Sequence, residues 1–176
     1  KASLTVRVAA HAVRGYLQGW DRRASAAGNV DLLIANSRFI AEQIGRAYGR
    51  EAEVVYPFAD LSRFTLPRER GSSYLMVTAF APYKRVDLAI EAFNRLRLPL
   101  QIVGSGQDQA RLRAMAGPTV EFLGSATNDR VAELYSRCRA FVFPGVEDFG
   151  ITPLEAMASG APVIGFNVRA NAPARN

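Results

Sequence analysis

The stretch "YLMVTAFAPYKRVDLAIEAFNRLRLPLQIVG" (residues 74–104) contains the alternation of apolar runs and helical spacing that most clearly indicates the fold. It begins with a short apolar run and continues with residues 85–97, where apolar side chains recur at helical spacing. It ends with a second apolar run at 100–104. Two apolar strands joined by a helix are typical of the β-α-β unit, whose strands are parallel and buried. The stretch therefore predicts the first unit of a parallel sheet.

The same alternation continues as far as residue 166. The remaining apolar runs and helical patterns lie at 108–115, 119–124, 129–138, 140–144 and 162–166, with a helix beginning at Thr152. Alternating strands and helices with right-handed crossovers give an α/β domain with helices on both faces of the sheet. We therefore expect a doubly wound parallel sheet of the Rossmann-like kind.

Residues 1–70 follow a different pattern. We expect a helix over 3–25, a buried strand over 30–36, a helix between the N-cap Ser37 and Gly49, a second strand over 52–57, and a connector over 59–73. Two strands and two helices are few elements for an independent domain. This part therefore reads as the closing piece of a preceding domain.

Composition narrows the class of protein. The chain has 176 residues, of which 49% are hydrophobic and 22% charged, so it is expected to be globular. The net charge of +6 is spread along the chain, which argues against a nucleic-acid-binding protein. One Cys and one His argue against a structural zinc site, and a single cysteine fits a reducing compartment. No apolar run reaches membrane-spanning length and no signal peptide is recognisable, so we expect a cytoplasmic location.

Three loops follow strands at the edge of the sheet where open parallel sheets bind ligands. The loop 79–85 places Lys84 at the start of a helix, where it could hold a phosphate or be an ordinary solvated lysine. The loop 103–108 has a Gly-x-Gly that permits close approach to a ligand, but the same pattern is common in plain turns. The loop 123–129 has small residues and helix-capping chemistry, and indicates nothing more by itself.

The fourth loop, "PGVEDFGITPLEAMASG" (144–160), contains two carboxylates, Glu147 and Glu155. Thr152 and Glu155 satisfy the capping-box pattern, with a proline at the first helical position. A capping role for Glu155 leaves Glu147 unexplained. On the residues alone, a capped helix and a ligand site are equally supported.

This loop resembles the signature of GT-B glycosyltransferases of the family 4 type (glycosyl transferases group 1), in which two glutamates have seven residues between them. The segments "YLMVTAFAPYKRVDLAIEAFNRL", "QIVGSGQDQARLRAMA", "VEFLGS" and "AELYSRCRAFVFPG" are similar to the family in order and spacing. The resemblance covers residues 30–166, and "APYKRVDLAIEAF" looks closest to the mannosyltransferase-like subgroup.

The resemblance implies retaining transfer of a hexose from a nucleotide-diphosphate sugar to a glycan or lipid-linked acceptor, with GDP-mannose as a candidate donor and no obligatory metal or other cofactor. Lys84 would neutralise the donor diphosphate, and Glu147 would contact the transferred sugar, so both are candidate catalytic residues. Glu155 would accept hydrogen bonds from the ribose, and could also cap the helix. The remaining implied donor-binding residues are Arg85, Gly124, Ser125, Ala126, Phe149, Gly150, Ile151 and Thr152.

The resemblance also divides the chain. Residues 1–62 would be the closing fragment of the N-terminal GT-B domain plus a connector, 63–166 the donor-binding domain, and 167–176 an unassigned tail. Most of the N-terminal domain, with the acceptor site and its catalytic histidine, would be absent; His11 lies outside every matching motif. Such a chain would bind a nucleotide but transfer little sugar alone.

One departure from the family supports an alternative. Family members often carry an arginine in the first loop where this chain has Ala79. The alternative is a non-catalytic nucleotide-binding or regulatory module with the same fold. For an intact enzyme, the resemblance adds peripheral association with the inner face of the cell membrane as an expectation.

Overall fold

The computed structural model describes residues 3–66 and 69–166. The chain divides into two compact units, Lys1–Pro57 and Phe58–Asn176. The predicted unassigned tail, 167–176, lies outside the described residues.

The first unit contains two helices and a pair of very short parallel strands. Its elements are α1 (Leu4–Ala24), β1 (Ile34–Ala35), α2 (Arg38–Tyr48) and β2 (Glu53–Val54). The predicted limits of α2 are confirmed. The Ile40 N–H donates to Ser37 Oγ at 3.2 Å, and Gly49 ends the helix in the left-handed conformation with φ 65°.

The prediction of a buried strand over 30–36 is wrong in length and in burial. The strand has two residues, and their side chains point to opposite faces of the strand pair. Ala35 is fully buried, whereas Ile34 is 61% exposed. The predicted strand over 52–57 is likewise only two residues long, because each strand of this unit pairs over just two positions.

The described residues of the second unit form a five-stranded parallel sheet and four α-helices. Its elements are β3 (Tyr74–Val77), α3 (Val86–Leu96), β4 (Leu100–Val103), α4 (Gln109–Met115), β5 (Val120–Gly124), α5 (Asn128–Arg137), β6 (Phe141–Phe143), α6 (Ile151–Ala158) and β7 (Val163–Gly165). The strand order is β5-β4-β3-β6-β7, and every pairing is parallel. The α/β fold predicted from the sequence is confirmed.

Helices cover both faces of this sheet, because alternate strand side chains point to opposite faces. On one face Met76 packs in a core with Ile90 of α3 and Leu112 of α4. On the other face Leu75 packs in a core with Tyr135 of α5 and Ala156 of α6. The sheet is therefore doubly wound.

The order of the strands fixes where a ligand site would form. From β3 the chain moves outward to β4 and β5, then returns through α5 to β6 on the opposite side of β3. The helices that follow the neighbouring strands β3 and β6 thus pack on opposite faces of the sheet, which opens a crevice beyond the carboxyl ends of these strands. Among the described helices, none is both long and apolar enough to cross a membrane.

Candidate functional site

An ion pair joins the loops that follow β3 and β6. Lys84 ends a short 3-10 turn, Pro82–Lys84, and its Nζ contacts Glu147 Oε1. The two side chains are only 20% and 21% exposed, so the pair is largely withdrawn from solvent. The two strands are neighbours in the sheet, with Leu75 opposite Phe141, which explains how residues from distant parts of the sequence meet.

The backbones of these two loops also approach each other closely. A Cβ atom built on Gly145 would lie 3.1 Å from the Lys84 carbonyl oxygen and 3.2 Å from its Cα. A side chain at position 145 would therefore require the Lys84 backbone to shift by a few tenths of an ångström. Glycine at this position permits the contact between the two loops.

A pocket of about 440 Å³ lies at the carboxyl ends of β3, β4 and β5, and neither Lys84 nor Glu147 is among its lining residues. Its walls come from four segments that the topology brings together. The lining residues are Val77, Thr78, Ala79, Val103, Gly104, Ser105, Ser125, Ala126, Asn128, Val131, Thr152 and Glu155. Four of the predicted donor-binding residues thus share one pocket: Ser125, Ala126, Thr152 and Glu155.

The Glu155 carboxylate interacts with a buried tyrosine that the sequence analysis did not include among the site residues. The Tyr135 hydroxyl donates to Glu155 Oε2 at 3.3 Å, and Tyr135 is fully buried. Burial, and then the nearby charge and hydrogen bond of Glu155, raise the pKa of the Tyr135 phenol. The hydroxyl therefore remains a proton donor to the carboxylate. The sequence does place a tyrosine on the buried face of α5. Because a buried tyrosine hydroxyl usually needs a hydrogen-bond partner, this residue could have been considered for the site.

The predicted capping box at Thr152 is wrong. Helix α6 begins at Ile151, its N-cap is Gly150 with φ 86°, and no side chain caps it. Glycine adopts this left-handed conformation without strain, so the helix starts before Thr152 can act as its cap. Pro153 is then the third helical residue, where a missing N–H is still harmless because the first four N–H groups have no intrahelical acceptor. Glu155 does not serve as the reciprocal cap, and its carboxylate meets Tyr135 instead.

The other predicted donor-binding residues do not line the pocket. Phe149 and Gly150 lead into α6, and Ile151, its first residue, is 45% exposed. Gly124 ends β5, and its carbonyl accepts from the Gly104 N–H at 2.8 Å. Arg85 pairs with Asp87 at 3.2 Å.

The two glycines of the second loop have an immediate structural role. A Cβ atom on Gly104 would lie 1.8 Å from the Thr78 carbonyl oxygen, and one on Gly106 would lie 2.7 Å from the Phe80 carbonyl oxygen. The same loops are tied by the Phe80 N–H, which donates to the Ser105 carbonyl at 2.8 Å. These glycines allow the loops after β3 and β4 to pack directly together, which forms one wall of the pocket.

A metal site is not built from the usual ligands in the part of the chain that is described. Within residues 3–66 and 69–166, no three His, Cys, Asp or Glu side chains cluster as a metal ion would require. The predicted absence of an obligatory metal stays a prediction.

Comparison with known proteins matches this domain to one family. The model of the family described as glycosyl transferases group 1 matches residues 59–173. O-antigen chain mannosyltransferase C of Escherichia coli is 31% identical over 158 residues, which cover 80% of this chain and 43% of that protein.

Solved structures give the same result. The pneumococcal O-GlcNAc transferase GtfA, solved in complex with UDP and GlcNAc, is 26% identical with a TM-score of 0.67, covering 85% of this chain and 32% of that one. A mutant of TarM from S. aureus has a TM-score of 0.70 at 18% identity, covering 81% and 31%, and shows the shared fold alone. The chain spans between 14 and 43% of the curated relatives that it matches.

Proposed function

The chain belongs to the glycosyl transferases group 1 family, and on that premise we propose that it forms the donor-binding part of a retaining GT-B glycosyltransferase. The intact enzyme would transfer a hexose from a nucleotide-diphosphate sugar to a glycan or lipid-linked acceptor. The mannosyltransferases among the relatives make mannose the leading candidate for the sugar.

The observation that carries the proposal is the Lys84–Glu147 ion pair, which joins the loops after β3 and β6 where the strand order reverses. In this proposal the Lys84 ammonium neutralises the charge that develops on the diphosphate as it leaves. Glu147, its partner, contacts the sugar bonded to that diphosphate. The diphosphate and the sugar of one donor would thus contact Lys84 and Glu147, which form one ion pair.

The pocket would hold the nucleoside part of the donor. Glu155 accepts hydrogen bonds from the ribose hydroxyls, and Ser125 and Ala126 border the base. The N–H groups that open α6, from Ile151 and Thr152, face the phosphates and sugar, since a helix N-terminus favours anions. Phe149 and Gly150 shape the approach to this helix. Gly124 would border the base together with Ser125 and Ala126, and Arg85 would assist Lys84 at the diphosphate.

This assignment requires no resident metal, because a lysine and helix N–H groups supply the positive charge. Transfer itself would need the acceptor-binding domain of the intact enzyme, so this chain alone would bind the donor and turn over little. Membrane association of the intact enzyme at the inner face of the cytoplasmic membrane belongs to the same proposal, through a lipid-linked acceptor.

One observation favours a second candidate, a nucleotide-binding module without transferase activity. Ala79 lines the pocket. The family resemblance would place an arginine at this position, so the diphosphate would have one cation fewer here. A module of this kind would bind nucleotides weakly and equally with or without the sugar.

The test is calorimetric titration of the chain with GDP, UDP and ADP, followed by the sugar form of whichever nucleotide binds. The proposal expects saturable binding of one nucleotide diphosphate and tighter binding of its sugar form. Binding that is indifferent to the sugar would favour the module. A folded chain that binds none of the three would refute both.

A further inference from the structure

Tyr135 is buried in the core of the sheet, and its hydroxyl also contacts Glu155 of the candidate site. Its ring packs edge-on against Phe141, with 5.4 Å between centroids, and against Phe64 at 6.1 Å. The whole residue is inaccessible to solvent. The position of its hydroxyl is therefore set by the core of the sheet, not by the surface loops.

Glu155, by contrast, carries a flexible side chain at the edge of the pocket. Its backbone is fixed, because its carbonyl accepts from both the N–H and the hydroxyl of Ser159 at 3.1 Å. Its carboxylate is held at Oε2 by Tyr135, while Oε1 makes no hydrogen bond with a described residue. One oxygen is thus anchored to the core and the other remains for a ligand in the pocket that Glu155 lines.

We propose that Tyr135 is a positioning residue for the ribose subsite, which orients the Glu155 carboxylate through the hydrogen bond from its hydroxyl. The inference rests on the proposed function, because it takes the ligand of Glu155 to be the ribose of a nucleoside diphosphate. Tyr135 does not touch that ligand. It fixes one carboxylate oxygen so that the other presents its lone pairs to the sugar hydroxyls, which limits the rotamer freedom lost on binding.

The protonation state of Tyr135 agrees with this role. Burial and the adjacent carboxylate keep its pKa above the ordinary value, so the phenol stays protonated, and remains a hydrogen-bond donor, at neutral pH. A phenylalanine would fill the same core volume equally well. The hydroxyl is therefore explained by its acceptor and not by packing.

The test compares ribose recognition in the 176-residue chain and in Tyr135→Phe. Titrations use GDP, UDP and ADP together with their 2′,3′-dideoxy counterparts, which lack the hydroxyls that Glu155 would accept. The expected result is a wild-type preference for the ribose form that falls about three- to ten-fold in Tyr135→Phe, as for the loss of one hydrogen bond. Affinity for the dideoxy form should stay unchanged.

Two further variants separate positioning from a general structural effect. Tyr135→Met also removes the hydroxyl and must show the same loss, so the test survives if one of the two variants folds poorly. Tyr74→Phe removes a hydroxyl from the opposite face of the sheet, where Tyr74 packs on Phe93, and should leave the ribose preference intact. In a Glu155→Ala background, Tyr135→Phe should change the preference no further.

The outcomes are distinguishable. An unchanged ribose preference in Tyr135→Phe, or an equal loss of affinity for both forms, overturns the positioning role and leaves the proposed function standing. A wild-type chain that binds nucleoside diphosphates without preferring ribose overturns the positioning role and the ribose contact of Glu155, and leaves donor binding by the chain standing. A wild-type chain that binds none of them overturns the proposed function and this inference with it.

Discussion

Lys84 and Glu147 are 63 residues apart in the sequence, and their side chains form a largely buried ion pair. The pair exists because β3 and β6 are neighbours and their loops leave the same edge of the sheet. Both residues are assigned to the donor in the proposed function. Glu147 therefore neutralises the charge of Lys84 before a diphosphate binds.

Replacing Glu147 by glutamine should strengthen the binding of a bare nucleoside diphosphate. The change removes a negative charge beside the diphosphate and releases Lys84 from its partner, so affinity should rise about two- to ten-fold, the range of a partly exposed ion pair. Calorimetric titration measures it, with Glu121→Gln as the control, since Glu121 lies on β5 and bonds to Gln101. A weaker affinity in Glu147→Gln alone would contradict the assignment.

Two threonines near helix starts should differ in their contribution to stability. Thr127 caps α5, with the Arg130 N–H donating to its hydroxyl at 3.3 Å, whereas α6 has no side-chain cap. Thr127→Ala should lower the free energy of unfolding by about 1 kcal/mol. Thr152→Ala should change it by less than about 0.5 kcal/mol. Urea denaturation compares the two, and equal losses would restore the capping box at Thr152.

Gly104→Ala should destabilise the second unit severely. The added methyl group would fall 1.8 Å from the Thr78 carbonyl oxygen, which is backbone and cannot move without separating β3 from β4. We expect a loss of at least about 3 kcal/mol or failure to fold. Gly165→Ala is the matched control, because its nearest neighbour would be 3.9 Å away. Thermal denaturation that ranks the two variants equally would refute the loop contact.

Cys138 should make stability fall at alkaline pH. Burial raises the pKa of its thiol from 9.0 to about 11, so the unfolded chain ionises first. Stability from this group is present below pH 9 and is lost as the pH rises through 11, by about 2.7 kcal/mol in total. Between pH 8 and pH 11 the wild type should lose about 2 kcal/mol more stability than Cys138→Ala does, because the raised pKa of Tyr135 lowers the stability of both proteins. An equal loss in both proteins would mean that Cys138 contributes nothing to it.

The order of strands and helices in the second unit was predictable because its apolar runs are nearly continuous, as strands covered on both faces must be. The first unit was less predictable, because an apolar run there does not form a strand that is covered on both faces. The apolar residues of 30–36 look like a buried strand, yet each strand there pairs over two positions and Ile34 remains exposed. The sequence pattern indicates which residues can be buried, whereas the tertiary contacts determine which residues are buried.

The sequence allowed the location of the candidate site to be predicted, but not the side-chain contacts within it. Placing Lys84, Glu147 and Glu155 at one edge of the sheet needs only the topology. The contact of Tyr135 with Glu155 requires the packing of α5 against α6, which no local pattern specifies. The start of α6 was mistaken because the capping-box pattern outweighed Gly150, whose left-handed backbone begins the helix earlier.

Donor binding at this edge of the sheet can be tested by titrating a nucleoside and its diphosphate into three proteins: the wild type, Lys84→Ala and Glu155→Ala. The base is the one that wild-type titrations select. We expect Lys84→Ala to lose affinity for the diphosphate about ten-fold or more and to retain its affinity for the nucleoside, since hydrogen bonds to charged groups contribute about 1.5–3 kcal/mol. Glu155→Ala should weaken both ligands. If a folded Lys84→Ala binds the diphosphate as tightly as the wild type, this edge of the sheet is not a donor site.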